Sequence, residues 1–479
     1  MGKIKKGVYL KMQRKTIYLA GGVNRNVSPF LVEDGEMADI QNFSTPKIGV
    51  LKKAGDYTIK NAQVTASQNV LGGIDFQRAD GTHEHFIAVD GASNADILKD
   101  VTGTWTAQSQ ALTAANKVRF AYSPALDTLF SCNYVDDTRS YNGSSWSTST
   151  NVVDAPKAKY IISFGQRIYL LNVTVGATSY ISRAYRSSTV ETSPITWDTV
   201  NEWVSFDDVI TGVGRSGENM FVGCQNSCWA FTLEDVKYQV SGHGCVSHDG
   251  IAEYGAWVFF PSTDGMYVFD GASDTNISMA VQDYWNAIPV ANLSSIQAKV
   301  LGNHLYIYIG DVTVDGRALT NVVLDYNILQ NTWTRLALSE NVMDMHIYTK
   351  STGKKLFFGN DDGEIFEMFT GEDQNGVVFT SFIETPWFYG SGPLDIDDFK
   401  EFWAHGELLS GLKVKYKVDS GSWIPVGELN GFSDLVKFTV SGKRIKFLLE
   451  ETSKDNMYEI HSIEVGFQPK FPEKKENKE

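Results

Sequence analysis

Along most of this chain apolar and polar positions alternate with a period of two, in short runs that stop at clusters of Gly, Asp and Asn. Val70-Leu71-Gly72-Gly73-Ile74-Asp75-Phe76 is one such run. It meets a turn at Ala79-Asp80-Gly81, and His85-Phe86-Ile87-Ala88-Val89 follows. The same grammar returns in Tyr160–Phe164 with Arg167–Asn172, in Trp257–Phe260 with Met266–Phe269, and in Leu305–Ile309 with Val322–Tyr326. Turns of the form Thr263-Asp264-Gly265 and Asp361-Asp362-Gly363 separate the strands. Each unit then closes on a variable outer segment, and Trp105, Trp146, Trp197 and Trp333 hold that late position.

A unit of about 30 to 45 residues built this way predicts a four-stranded antiparallel blade, and radial repetition of blades limits exposed sheet edges. The expected fold class is therefore all-β: a β-propeller of about seven blades, with six to eight allowed, followed by a small antiparallel β-sandwich. Helical periodicity is confined to two short stretches, Glu36–Phe43 and Gln282–Ile288. The expected domains are an N-terminal arm and lead-in over 1–62, the propeller over 63–374, the sandwich over 375–468 and a disordered tail over 469–479. The sandwich rests on six alternating segments beyond residue 375, among them Leu412–Val418 and Tyr458–Pro469, with no blade repeat. The tail rests on the charged run Glu473-Lys474-Lys475-Glu476.

Composition sharpens this picture in three places. Gly is abundant (42) and Pro scarce (12), which suits many tight turns between strands. No run approaches the roughly 20 apolar residues that span a bilayer, and the basic N-terminus precedes no apolar signal-like run, so synthesis in a cytoplasm is expected. The net charge of −15 opposes broad phosphate-backbone binding, though it is compatible with a channel through which DNA passes without adhering.

Motifs that carry chemistry are sparse. Gly212-Val213-Gly214-Arg215-Ser216-Gly217 has dinucleotide-loop spacing, but that motif needs a strand-to-helix turn and a strand pattern follows it here, so a glycine-rich blade connection is expected. Cys224, Cys228, His243, Cys245 and His248 have the composition of a zinc site without its spacing, and Cys224 and Cys228 flank a hairpin turn, which favours small buried hydrophobes. The acidic groups Asp136-Asp137, Asp361-Asp362 and Asp395 with Asp397-Asp398 read as solvated turns, as does Asp311 with Asp315-Gly316, which lacks the closing glutamate of a calcium loop. His83 and His85 lie two apart in a strand and are expected as a solvated pair on one face. Neither G-x-S-x-G nor H-E-x-x-H occurs, and the blade turns lack the spaced Trp of the glycosidase repeat. No catalytic residue, cofactor or metal ligand is assigned, and the chain is expected not to be an enzyme. The basic arm Lys3, Lys5, Lys6, Lys11, Arg14 and Lys15 could touch nucleic acid or an acidic neighbour, or be simply a solvated terminus.

One passage is more specific. It runs Ala20-Gly21-Gly22-Val23-Asn24, Ser28-Pro29-Phe30, Glu36-Met37-Ala38-Asp39-Ile40-Gln41-Asn42-Phe43 and Lys47-Ile48-Gly49-Val50-Leu51-Lys52-Lys53-Ala54-Gly55. It resembles the opening of the tail hub, nozzle and packaged-DNA stabilisation (tail tubular) proteins of short-tailed bacteriophages. Ala54 departs from it, since the family more often carries Pro or a bulkier residue there. The resemblance implies a structural virion protein, assembled in the host cytoplasm and located in the virion tail. There it would form a homo-oligomeric ring, commonly a hexamer, below the portal and adaptor ring proteins. That ring would enclose the exit channel for genomic DNA, without sequence specificity, and anchor tail fibre, spike or needle proteins. The basic arm would then dock on the ring above. A glycan-binding or glycan-cleaving propeller, or a propeller that docks other protein partners, is the alternative the residues leave open.

Overall fold

The computed structural model describes residues 11–19, 21–28, 31–33, 35–64, 66–191, 194–452 and 457–470. The chain forms two compact units, one of residues 56–324 and 337–371, the other of 1–55, 325–336 and 372–479.

The first unit is a β-propeller. The first of its antiparallel blades comprises Val70–Gln77, His83–Val89, Asn94–Val101 and Thr104–Ala107, with the short Leu112–Thr113 on its third strand. The second runs from Arg119–Ser123 to Trp146–Ser147, the third from Lys157–Phe164 to Trp203–Ser205, and the fourth from Ile210–Ser216 to Lys237–Ser241. The fifth spans Ala252–Tyr254 to Asp274–Asn276, and the sixth Gln297–Leu301 to Thr332–Ala337, its residues 325–336 being those that cluster with the second unit. The seventh takes Asp344–Lys350, Gly353–Gly359 and Ile365–Met368 from its own stretch of chain, and its fourth strand, Tyr57–Ile59, from far upstream. Each blade's first strand lies against the first strand of the next, and Asp344–Lys350 returns to Val70–Gln77, so the ring is closed.

Closure is chemical as well as topological. The Tyr57 ring packs edge-on against Phe358 and Phe366, with centroids 5.1 and 5.0 Å away. The backbone N–H of Phe369 donates to Asp56 O, and that of Gly371 to the Asp56 carboxylate. The seam with the first blade needs two glycines in succession. A Cβ on Gly72 would stand 2.1 Å from Val118 O, and one on Gly73 would stand 2.3 Å from His346 Nδ1, so only hydrogen fits where both neighbouring blades press on this strand.

The second unit is a β-sandwich of two antiparallel sheets. One has the order Ser433–Gly442, Asp397–Glu407, Glu459–Pro469, Val50–Lys53, Phe43–Lys47, and Gln13–Tyr18 also pairs with Glu459–Pro469. The other has the order Ile424–Glu428, Lys413–Val418, Ile445–Glu451, Ser381–Glu384, Asp39–Gln41. Strand alternation sends Phe402 of the first sheet onto Phe447 of the second, with ring centroids 4.6 Å apart, and Phe438 onto the same ring at 6.0 Å. The sandwich is thus made from both flanks of the propeller sequence, with 1–55 supplying strands to each sheet.

The family-like opening passage is knitted into this unit. Asn24 Nδ2 donates to the Glu36 carboxylate at 2.9 Å. Asn42 sits in the left-handed region (φ 59) and its Nδ2 donates to Thr380 O at 2.7 Å. Leu51 is buried, and Lys53, fully buried, donates to Glu451 at 2.7 Å across the two sheets.

Two expectations about local structure meet different outcomes. Gln282–Asn286 is the expected helical turn. Glu36–Phe43 is instead a broken run of strands, Glu36–Met37, Asp39–Gln41 and the start of Phe43–Lys47. Buried Met37, Ile40 and Phe43 are three apart, which mimics a helix, but the left-handed residue Asn42 inserts between strands and resets their alternation.

Candidate functional site

Of the basic arm, Lys3, Lys5 and Lys6 lie outside the described residues. Lys11 is exposed, and Arg14 and Lys15 lie on the strand Gln13–Tyr18. This strand pairs with Ser462–Phe467 on one side, and among the described residues no strand pairs with its other side. An unpaired sheet edge offers a row of backbone donors and acceptors to a partner, and basic side chains on it discourage unselective pairing. Arg14, Thr16 and Tyr18 point to the outer face, while Ile17 is buried.

Arg14 reaches across an intervening strand. It and Glu401 both register with Gly466, which has no side chain to block the path; a Cβ there would stand 3.0 Å from Glu401 Cβ. The guanidinium contacts Glu401 at 3.3 Å and lies 5.3 Å from the Trp403 ring centroid. Trp403 stacks with His405, and exposed Tyr18 completes a face of mixed aromatic and charged groups beside the open edge. Such a composition suits protein docking.

The sequence motifs resolve into structure. The segment 212–217 lies mostly within the first strand of the fourth blade, where a Cβ on Gly212 or Gly214 would stand 2.6 or 2.8 Å from Ile251 side-chain atoms; it is a strand and not the blade connection expected for it. Cys224 and Cys228 do flank a hairpin, and both are buried with Cys245 in apolar surroundings. Burial pushes the Cys224 and Cys245 thiols up to about 12, so they pack as neutral hydrophobes. Asp136 accepts from Thr113 and Asn133, and Asp362 from the Ser67 N–H, as turn carboxylates do. Among the described residues no group of three or more His, Cys, Asp or Glu side chains has the geometry to hold a metal ion.

The histidine pair is not solvated. His85 is 1% exposed, and its Nε2 lies 2.7 Å from Nε2 of His346 in the seventh blade. His346 Nδ1 in turn lies 2.7 Å from Asp344, and the His85 ring stacks on Tyr348. His83 shares the face but stops at the rim, 2.8 Å from Asp75. The alternation correctly put both on one face; it could not show that the closing blade covers His85.

One group has no local motif at all. Arg119 of the second blade contacts Asp249 at 3.2 Å, and Asp249 lines one cleft with His248 and with Lys299 of the sixth blade.

No family model matches the chain, and no curated protein matches it. Among solved structures it is similar to one described as "YCF48 bound to D1 peptide", at 11% identity and TM-score 0.38 over 66% of this chain and 96% of that one. It is also similar to Sqt1 of Saccharomyces cerevisiae, at 8% identity and TM-score 0.37 over 66% of this chain and 98% of that one. No helix among the described residues is long and apolar enough to cross a membrane.

Proposed function

We propose that this chain is a non-enzymatic structural protein of a short-tailed phage virion, a tail hub or nozzle subunit that assembles into a ring around the DNA exit channel. The observation that carries the reading is the opening passage. Its family-like residues are not interchangeable surface positions: Asn24, Glu36, Asn42, Leu51 and Lys53 each hold a hydrogen bond, an ion pair or a core position in the sandwich. A resemblance spread over residues with separate structural duties carries more weight than one over a single turn.

Two further features support the reading. A propeller ring and a sandwich, rigid and rich in surface loops, suit a scaffold that anchors appendages. A cyclic assembly needs two different patches on each subunit, and the open edge Gln13–Tyr18 with the Arg14–Trp403 face supplies one patch of docking composition. The partners proposed are further copies of this chain, a portal or adaptor ring, and fibre, spike or needle proteins.

Sedimentation of the purified chain with portal and adaptor complexes tests the proposal. Comigration is expected, and Thr16→Pro, which removes a backbone donor from the open edge strand, is expected to weaken it. Absence of comigration with every portal and adaptor complex tried overturns the virion assignment.

A further inference from the structure

The seam that closes the propeller holds two histidines in direct contact. His85, on His83–Val89 of the first blade, and His346, on Asp344–Lys350 of the seventh, meet with their Nε2 atoms 2.7 Å apart. Both are buried. Asp344 lies 2.7 Å from Nδ1 of His346, and Nδ1 of His85 is buried without a partner. Aromatic rings wall in His85: Tyr348 stacks on it with centroids 4.3 Å apart, and Trp105 and Phe357 stand edge-on at 5.1 and 5.2 Å.

These contacts fix where the protons are. A carboxylate only accepts, so His346 Nδ1 carries a hydrogen and donates it to Asp344. His346 Nε2 is then the bare acceptor of a neutral imidazole, and His85 Nε2–H donates to it. The arrangement has no place for one more proton. On His346 Nε2 it sets two N–H groups against each other at 2.7 Å. Moving the His85 hydrogen to Nδ1 to relieve that clash, or adding the proton there, buries an N–H with no acceptor. The surrounding charges are already engaged. Lys60, beside Trp105 and Tyr348, is held by Asp100 at 2.5 Å, and Lys350 by Glu367. Glu84 is held by Lys99 at 2.7 Å, and Asp75 by His83 at 2.8 Å. Burial, with His346, Lys60 and Lys350 nearby, pulls the His85 imidazole well below its ordinary value.

We propose that the His85–His346 contact is a proton-sensitive latch on the ring, which holds the first and seventh blades together when neutral and releases their seam in acid while the other blades stay folded. The sign follows from the geometry. Opening the seam exposes His85 to water, where an imidazole takes a proton near pH 6.5. The closed pair takes none, so closure is complete above that pH and weakens as pH falls below it. Between pH 7.5 and 5.0 the open fraction of the seam rises about thirty-fold for His85 alone. His83 behaves differently, because its ring faces Asp75 at the rim and a proton added there strengthens the contact. The latch needs only a closed propeller, so it stands or falls independently of the virion reading.

Hydrogen exchange of the full-length protein at pH 7.5 and 5.0, corrected for the intrinsic pH dependence of amide exchange, tests this. Peptides covering Val70–Gln77, His83–Val89 and Asp344–Lys350 are expected to lose protection about thirty-fold in acid. Thr178–Arg186 and Arg317–Asn327, strands that touch neither histidine, are expected to keep theirs. His85→Gln supplies an amide N–H for His346 Nε2, and an amide oxygen once that nitrogen is protonated, so it should abolish the response. His85→Phe keeps a ring among Tyr348, Trp105 and Phe357 and is the second non-titrating variant, with the same expected result. A seam equally protected at both pH values, acid loss of the same size in the two comparison strands, or an undiminished response in whichever variant folds overturns the proposal.

Discussion

At the scale of single residues, the most telling position is Lys53. In the sequence it is one of two adjacent lysines in a basic, surface-like stretch. In the fold it is fully buried, paired with Glu451, which lies 398 residues away, and its ammonium sits 4.5 Å from the Phe379 ring centroid. No local pattern could reveal this, because the partner arrives from the other end of the chain. A lone substitution strands a buried charge, so Lys53→Met or Glu451→Leu should each cost about 3–5 kcal/mol, while the double replacement recovers most of the loss. Scanning calorimetry, following the sandwich transition, checks both. His85 and His248 make a second residue-scale prediction. Burial holds both imidazoles below the ordinary value near 6.5, so the unfolded chain binds more protons once the pH falls below about 6.5. Their contribution is complete above that pH and declines as pH drops, by about 1.4 kcal/mol per pH unit for each histidine. Carboxylates held low by cations, such as Asp127 beside Arg78, add their loss only below about pH 4. Urea unfolding between pH 7 and 5 should show the slope. His248→Asn, which keeps an acceptor for the Val213 N–H, should halve it. A flat profile over this range would contradict the buried-neutral assignment.

At the scale of elements, the alternation was legible wherever strands follow one another in a hairpin. The blade grammar, the turn residues and the late Trp positions all come from contacts between sequence neighbours, and Trp105, Trp146 and Trp333 stand on outer strands as the pattern implied. What could not be read were pairings of distant segments. Tyr57–Ile59 is too short to signal a strand, yet it closes the seventh blade against Phe366–Met368. Gln13–Tyr18 looks like a charged leader, yet it is a sandwich strand, because Glu459–Pro469 offers it a partner. The contact of Arg119 with Asp249 was illegible for the same reason, as the two come from stretches 130 residues apart. Tyr57→Ala removes the ring that packs edge-on against the stacked pair Phe358 and Phe366, and burial pushes its phenol up to about 12. It should cost about 3–5 kcal/mol. Hydrogen exchange should then rise first in the seventh and first blades, which share the seam, and little in the third and fourth. Uniform loss of protection across all blades would contradict closure by this strand.

At the scale of the whole molecule, the account combines a closed ring of seven blades with a sandwich drawn from both flanks of the propeller sequence. Such an inserted arrangement ties the fate of the two ends of the chain together, and it places the family-like opening in the same unit as the C-terminal strands. The central claim is that this unit and the propeller serve as the subunit of a larger ring. The most direct measurement is the mass and image of the purified chain, by light scattering and electron microscopy, alone and with an adaptor ring present. The account predicts closed particles with a central hole, near six times 53.1 kDa or roughly 320 kDa, formed either spontaneously or on the adaptor. Particles that remain at 53.1 kDa under both conditions would contradict it.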